Sequence, residues 1–275
     1  LDHFEKSGKI PDFPLGQRDY SGKFLIQQKL YGREQEIHDL MVAYRRCAHG
    51  GKELMLFSGY SGTGKSALVR EVHKPITESH GYFIEGKFDQ FQRAVPYFAI
   101  LKAFEEMTNI LLTESQSVLD GFRISIQEAV GTEGKVITDV IPQLEKIIGP
   151  QPPVPEVGGA EAQNRFNYVF RKLIHVLASK EHPLVLFIDD LQWADSSSLS
   201  LLQVLMTDRD SKHLLCICAY RDNEVSASHP FVITVGDIRQ EGALINTISL
   251  GNLSKENVNE LIADAVNKTP DQTKE

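Results

Sequence analysis

The feature that most constrains this chain is a glycine-rich segment, residues 59–66, which reads GYSGTGKS and matches the pattern G-x-x-x-x-G-K-[ST] in full. Glycines allow backbone conformations that other residues avoid, so consecutive amides can point inward at phosphate oxygens. An apolar run precedes the segment and a helical pattern follows it, as a phosphate-binding strand–loop–helix requires. The lysine supplies a cation for the phosphates, and the serine hydroxyl is a candidate Mg²⁺ ligand. The predicted phosphate-binding residues are Gly59, Ser61, Gly62, Thr63, Gly64, Lys65, Ser66 and Ala67.

Two carboxylates follow a second apolar run, residues 184–188. In open α/β sheets, ligands bind at the carboxyl ends of the strands, so Asp189 and Asp190 are expected at that edge. We expect Asp189 to hold Mg²⁺, usually through water, and Asp190 to orient or activate the attacking water. The alternative for Asp190 is structural, with its carboxylate capping the turn that follows the strand.

Arg221 follows a third apolar run, residues 214–219, from which its guanidinium could reach a terminal phosphate and report its presence. The alternative is a salt bridge with Asp222 or Glu224. The predicted catalytic residues are therefore Asp190, Lys65 and Arg221.

The composition indicates which kinds of binding partner and which cellular compartment to expect. The 275 residues carry 29 Lys and Arg against 37 Asp and Glu, a formal net charge of −8, whereas proteins that grip a nucleic-acid backbone are more often basic. We therefore expect no nucleic-acid partner. Three cysteines are too few for a disulfide framework and fit a reducing compartment. No apolar run approaches the roughly 20 residues of a membrane span, and the start lacks a signal core, so we expect a cytoplasmic location without a membrane segment.

Helices and strands are predicted from the spacing of apolar residues. Residues 37–48 place apolar side chains on one helical face, and Gly50 and Gly51 end that helix. A single helix is expected from about Lys65 to Ser79. Strands alternate with helices, and several of the strands are solidly apolar, which predicts a parallel sheet covered on both faces. The strands are predicted at 54–57, 82–84, 184–188, 214–219 and 245–250, with further helices at 161–180 and after a Ser254 N-cap.

Longer strings carry a family resemblance. YGREQEI near the start, the glycine-rich segment and IDDLQWAD at the acidic strand together resemble the STAND branch of AAA-type ATPases, over residues from about 30 to 267. GKFDQFQRAVPYFAI, EAQNRFNYVF, HPLVLFIDDLQWADSSSL and AYRDNEV are similar to the ATPase module of large multi-domain signalling serine/threonine and histidine kinases.

The resemblance implies an α/β P-loop NTPase fold with a central, mostly parallel five-stranded sheet between helices. An extended lead-in is expected at 1–29 and the ATPase domain at 30–250, with a helical insertion at about 95–149 and a proline-rich linker at 150–159. Residues 251–275 are expected to begin a helical lid. Because the chain begins with leucine and stops in a polar tail, we expect it to be a fragment of something longer.

The resemblance also implies roles for matching residues. Tyr31, Gly32 and Arg33 would lie beside the adenine, although Arg33 has an alternative as a helix-terminal ion pair with Glu36. The resemblance further assigns Asp189 to the Mg²⁺ site, Asp190 to hydrolysis and Arg221 to nucleotide sensing. Trp193 is characteristic of the family, and we expect it to pack against other apolar side chains rather than to contact a ligand.

Two departures from the family pattern bear on activity. Many relatives carry glutamate where this chain has Asp190, and the shorter side chain is expected to slow turnover. No arginine finger can be assigned from the sequence, Arg239 being one candidate. The chain also lacks the lysine strand, H-R-D loop and D-F-G motif of protein kinases.

The leading hypothesis is a regulatory switch, in which ATP binding with Mg²⁺ and slow hydrolysis alter contacts with flanking signalling domains of a longer parent chain. ATP rather than GTP rests on the resemblance, since a phosphate loop does not read the base. The alternative is a nucleotide-binding scaffold without significant turnover, on which partners dock at 95–149. Nucleotide-dependent self-association is a further expectation. A DNA-loading ATPase is disfavoured by the negative charge.

Overall fold

A computed structural model describes residues 29–92 and 95–274 of the chain. The chain divides into two units, which are described separately. The larger is Gly32–Leu253, and the smaller comprises, among the described residues, 29–31 and 254–274. Most of the lead-in predicted at 1–29 lies outside the described residues.

The larger unit is built on a five-stranded sheet in which every pair of neighbours is parallel. In spatial order the strands run β2-β3-β4-β1-β5. This confirms the α/β class predicted from the alternation of apolar runs and helices. The strands are β1 Lys52–Ser58, β2 Tyr82–Lys87, β3 Leu184–Asp189, β4 Leu214–Tyr220 and β5 Ile245–Ser249.

Both faces of the sheet are covered, which explains why the central strands are continuous apolar runs. In β1, Leu54 and Leu56 point to one face while Met55 and Phe57 point to the other, and all four are at most 4% exposed. Helices supply both layers. In chain order they are α1 Glu34–Ala48, α2 Lys65–Glu71, α3 His73–Glu78, α4 Phe98–Leu111, α5 Gln116–Val130, α6 Gly134–Thr138, α7 Glu145–Ile148, α8 Gly159–Leu177, α9 Ser196–Thr207 and α10 Pro230–Gln240.

The single helix predicted from about Lys65 to Ser79 is wrong, because the chain breaks at Val72 between α2 and α3. Pro75 explains the break. It has no N–H to donate to the carbonyl four residues back, and its ring crowds that carbonyl, so one continuous helix is disfavoured there.

The register of the sheet aligns the carboxyl ends of its strands. Lys87 at the end of β2 lies opposite Asp189 at the end of β3. Ser58 at the end of β1 lies opposite Tyr220 at the end of β4. The loops that leave β1, β2, β3 and β4 therefore begin at one edge of the sheet, which is where an open α/β sheet binds ligands.

The smaller unit contains α11, Lys255–Ala265. The Ser254 side chain accepts a hydrogen bond from the Asn257 N–H at 3.2 Å, which confirms the predicted N-cap. Within the same unit Asp264 accepts from Lys29 Nζ at 3.3 Å and from the Tyr31 hydroxyl at 2.9 Å. No helix in the described parts of the chain is both long and apolar enough to span a bilayer.

Candidate nucleotide-binding site

The glycine-rich segment forms the loop between β1 and α2, at the carboxyl edge of the sheet. Gly59, Gly62 and Gly64 have φ values of 147°, 84° and 91°. Side chains other than glycine rarely adopt these conformations, so the three glycines let the backbone turn its amides inward. The first glycine is also fixed by space, since a Cβ there would lie 2.5 Å from the Leu250 carbonyl oxygen.

Lys65 is nearly buried, and its ammonium group folds over the loop. Its Nζ donates to the Gly59 carbonyl at 2.6 Å and to the Tyr60 carbonyl at 2.8 Å. Burial lowers the pKa of Lys65 from its ordinary value, while the carboxylates of Asp189 and Asp190 oppose that shift. The loop thus holds a desolvated cation in the place where the sequence predicted a phosphate-binding lysine.

Ser66 and Asp189 are in direct contact, although they are far apart in the sequence. The Ser66 hydroxyl donates to Asp189 Oδ2 at 2.7 Å, and Asp189 Oδ1 accepts from the Asp190 N–H at 2.9 Å. A hydroxyl and a carboxylate are hard oxygen donors, and Mg²⁺ is commonly bound by one or two such protein groups together with water and phosphate oxygens. The two residues therefore fit the Mg²⁺ that the fold implies.

Asp190 is buried to 5% exposure, with φ at 55° in the left-handed region. Its Oδ1 accepts from Gln192 Nε2 at 2.9 Å and lies 3.3 Å from Arg221 Nε, and its Oδ2 lies 3.0 Å from Lys87 Nζ. The carboxylate makes no capping hydrogen bond to the turn that follows. Side chains at or just after the carboxyl ends of β2, β3 and β4 therefore fix the orientation of this carboxylate.

Arg221 contacts both a neighbouring carboxylate and the acidic pair, and its role as a nucleotide sensor stays a prediction. Its Nη1 pairs with Glu224 at 2.7 Å, as the structural alternative predicted, while its Nε faces Asp190. The guanidinium also lies over the Trp193 ring, 4.9 Å from the centroid. Trp193 packs against the apolar core, as predicted.

Sequence reasoning missed Lys87 and Gln192. Lys87 ends β2, so it reaches Asp189 and Asp190 only because β2 and β3 are neighbours, and a hydrogen bond with Asp190 raises the pKa of Lys87. Gln192 bridges two predicted residues, because it donates to Asp190 and accepts from the Arg221 N–H at 3.2 Å. Polar residues at the carboxyl ends of parallel strands lie near one another at one edge of the sheet, and this rule would have found Lys87.

The residues expected beside the adenine are placed as follows. Arg33 pairs with Glu36 at 3.2 Å, so the ion pair weighed as its alternative is present. Gly32 has φ at 60°, and the Tyr31 side chain is engaged with Asp264 in the smaller unit. The adenine contacts stay a prediction. Arg239 lies exposed on α10, and its role as a finger also stays a prediction.

A parallel α/β sheet with a glycine-rich loop after its first strand and a serine–aspartate pair beside that loop defines a P-loop nucleoside triphosphatase. The AAA ATPase domain family matches residues 29–217, more than half of the chain, and the chain belongs to this family.

One relative is the hybrid signal transduction histidine kinase G of Dictyostelium discoideum, which is 38% identical over 198 residues. The match covers 72% of this chain but only 6% of that kinase, so the chain corresponds to a small part of it. The predicted resemblance to an ATPase segment of a signalling histidine kinase is thereby confirmed.

Among solved structures, Cdc6p of Pyrobaculum aerophilum aligns with a TM-score of 0.51 at 16% identity, over 88% of this chain and 51% of that one. This likeness supports the fold. A signal transduction ATPase with numerous domains (STAND) that carries a tetratricopeptide repeat sensor, from Pyrococcus horikoshii, aligns with a TM-score of 0.40 at 12% identity. That alignment covers 91% of this chain and 28% of the other, and its score is too low to bear on the fold.

Proposed function

We propose that this chain binds ATP with Mg²⁺, hydrolyses it slowly, and acts as a regulatory switch within a larger signalling protein. The observation that carries the proposal is the contact between Ser66 and Asp189 at 2.7 Å, with Asp190 next to it in the chain and paired to two cations. A purely structural loop has no need for a carboxylate held against its serine.

Binding is assigned to the loop and its neighbours. The loop amides and Lys65 hold the phosphates, for which Lys65 exchanges its carbonyl partners for phosphate oxygens. Ser66 and Asp189 hold Mg²⁺, whose charge neutralises the phosphate oxygens when it is bound. The side chain of Tyr60 is exposed, so the outer face of the loop is in contact with solvent.

Hydrolysis is assigned to Asp190, whose carboxylate orients or deprotonates a water molecule. For this its Oδ atoms must exchange at least one protein partner for water, since Lys87, Gln192 and Arg221 face them. The short aspartate arm and these three partners together favour slow turnover. Arg221 sits where it can leave Asp190 for a terminal phosphate.

The setting within a signalling protein is supported by the histidine kinase relative, of which this chain covers a small part. We therefore propose flanking signalling domains as partners, a cytoplasmic location, and nucleotide-dependent self-association as one means of output. The preference for ATP over GTP rests on the family to which the chain belongs.

The test measures bound nucleotide and released phosphate separately, with Mg²⁺ and labelled ATP, for wild type, Lys65→Ala and Asp190→Asn. We expect wild type to bind ATP and to release phosphate slowly, and Lys65→Ala to lose ATP binding. Asp190→Asn should bind ATP but release phosphate at least about 100-fold more slowly than wild type. Asp39→Asn, an exposed carboxylate on α1, is the matched control and should behave as wild type. Absence of ATP binding by wild type would refute the proposal.

A second candidate is a nucleotide-binding scaffold without significant turnover. This candidate is favoured by the contacts of Lys87, Gln192 and Arg221 with the Asp190 carboxylate, because these side chains compete with water for its oxygens. Equal phosphate release by wild type and Asp190→Asn, with binding intact, would decide for the scaffold.

A further inference from the structure

Arg33 lies at the start of α1, and its side chain is only 9% exposed. Its Nη1 faces Glu36 Oε1 at 3.2 Å, and its Nη2 donates to the carbonyls of Thr63 at 3.4 Å and Gly251 at 2.5 Å. One nitrogen thus joins the phosphate loop to residues 250–253, which follow β5 at the end of the larger unit and are called here the exit segment. A guanidinium can do this because it offers several donors in one rigid plane.

A second contact joins the same two segments beside Arg33. The Leu250 N–H donates to the Ser58 carbonyl at 2.8 Å, directly before the loop. Leu250 also presents its own carbonyl to Gly59, so close that a Cβ on the glycine would meet it at 2.5 Å. The start of the loop and the start of the exit segment therefore pack backbone to backbone, and Arg33 connects the two segments further along.

We propose that Arg33 is a positioning residue that couples the phosphate loop to the exit segment, so that nucleotide in the loop stabilises the conformation of residues 250–253. The proposal rests on the proposed function, because it requires nucleotide to bind in the loop. Phosphate binding fixes the backbone around Thr63, and the shared Nη2 then holds the Gly251 carbonyl in one place.

The geometry indicates the direction of the effect. The bond from Arg33 to Thr63 is the longest of the three at 3.4 Å, so it is the one that an ordered loop can shorten. The Gly251 carbonyl shares its peptide group with the Asn252 N–H, so a peptide plane held by Arg33 also restricts the motion of that amide. No charge other than Glu36 pairs with Arg33 among the described residues, which leaves the two carbonyls as its remaining partners.

Amide hydrogen exchange read by mass spectrometry tests the proposal on peptides that cover residues 247–253. The probe is Mg²⁺ with a non-hydrolysable ATP analogue at saturation, and the bound analogue is quantified in each sample. Wild type is expected to exchange the exit-segment amides at least ~3-fold more slowly with the analogue than without it. In Arg33→Gln, compared at equal occupancy, this difference should vanish. Arg45→Gln, an exposed arginine on the same helix, is the control and should keep it.

Each outcome decides. Bound analogue in wild type without any change in the exit segment overturns the coupling and leaves the proposed function standing. A protection difference that survives in Arg33→Gln also overturns the coupling. No bound analogue in wild type overturns both, and the occupancy measurement identifies that case. Should Arg33→Gln fail to fold by circular dichroism, Arg33→Lys, which keeps the charge without the planar fork, must lose at least half of the protection.

Discussion

Single side chains in this site serve two partners at once, and Ser66 shows the consequence. Its hydroxyl donates to Asp189 Oδ2, while its oxygen lone pairs remain available to a cation. The carboxylate of Asp189 is 9% exposed and also accepts the amide of Asp190. Neither oxygen of that carboxylate is left without a donor, so the two side chains that we propose as Mg²⁺ ligands are held in a fixed orientation.

Ser66→Ala is therefore expected to weaken binding of Mg²⁺–ATP by ~10–100-fold, because both the metal-ligand oxygen and the donor to Asp189 are lost. Binding of ATP in excess chelator should change much less. Titration calorimetry with and without Mg²⁺ measures both. Ser117→Ala, an exposed serine on α5, is the control. Equal losses with and without Mg²⁺ would contradict the metal assignment.

Gln192 is the second such residue, because its amide joins Asp190 to the backbone of Arg221 and is 3% exposed. Gln192→Ala should lower the free energy of unfolding by about 1–3 kcal/mol, since it leaves a buried carboxylate oxygen and a partly buried N–H each short of one partner. Gln116→Ala, an exposed glutamine at the start of α5, should change it by less than about 0.5 kcal/mol. Urea denaturation compares the two variants, and similar losses would refute the bridge.

At the scale of elements, the sequence predicted features that depend on a short stretch of chain, and it missed contacts that depend on which strands pair in the sheet. Apolar runs located β1, β2, β3 and β4 to within a few residues, since a buried parallel strand has few polar positions. The partly exposed β5, which reads INTIS, was located as closely although it is not a continuous apolar run. The break between α2 and α3 was missed because helical spacing continues past Pro75. Lys87 was missed because spacing along the chain says nothing about which strand lies beside β3. The glycine-rich loop and Asp189 needed no such knowledge, since their motifs are contiguous.

The crossing of α4 over β2 depends on one glycine. A Cβ on Gly86 would overlap the backbone carbonyl of Ala99, near the start of α4. Gly86→Ala should thus cost about 1–3 kcal/mol of stability, because a backbone must move to admit the methyl group. Gly121→Ala, within α5 and with open space around it, should instead gain about 0.5–1 kcal/mol. Thermal or urea unfolding of the pair checks the sign, and a neutral Gly86→Ala would show that α4 can shift freely.

Across the whole molecule, the two edges of the sheet have different chemistry. The carboxyl edge holds the acidic pair and its cations. The amino edge holds a separate network around Asp208, which is 9% exposed. Its carboxylate lies 2.5 Å from His175 Nε2 and accepts from the Ser211 hydroxyl at 3.0 Å, and its backbone carbonyl accepts from Lys52 at the start of β1. The amino-edge network ties α8, α9 and β1 together.

Asp208→Asn should therefore lower stability by about 1–3 kcal/mol at neutral pH and leave nucleotide binding per folded molecule unchanged. Burial favours a higher pKa for Asp208, but hydrogen bonds from His175 and Ser211 hold that pKa below the ordinary value of 3.8. A depressed pKa contributes stability above 3.8 that is lost as pH falls through the folded value, so wild type and variant should converge below that range. Unfolding at a series of pH values measures this, and a gap that persists in acid would contradict it.

The position of β1 in the sheet has a consequence for synthesis on the ribosome. β1 is the first strand to be made, yet its two neighbours, β4 and β5, are the last. The loop that carries Lys65 and Ser66 is therefore synthesised before its contacts, because Asp189 and Leu250 are translated later. Pairings so distant in sequence close slowly. The proposed nucleotide site is therefore complete only after Asp189 and the strands that flank β1 have been translated.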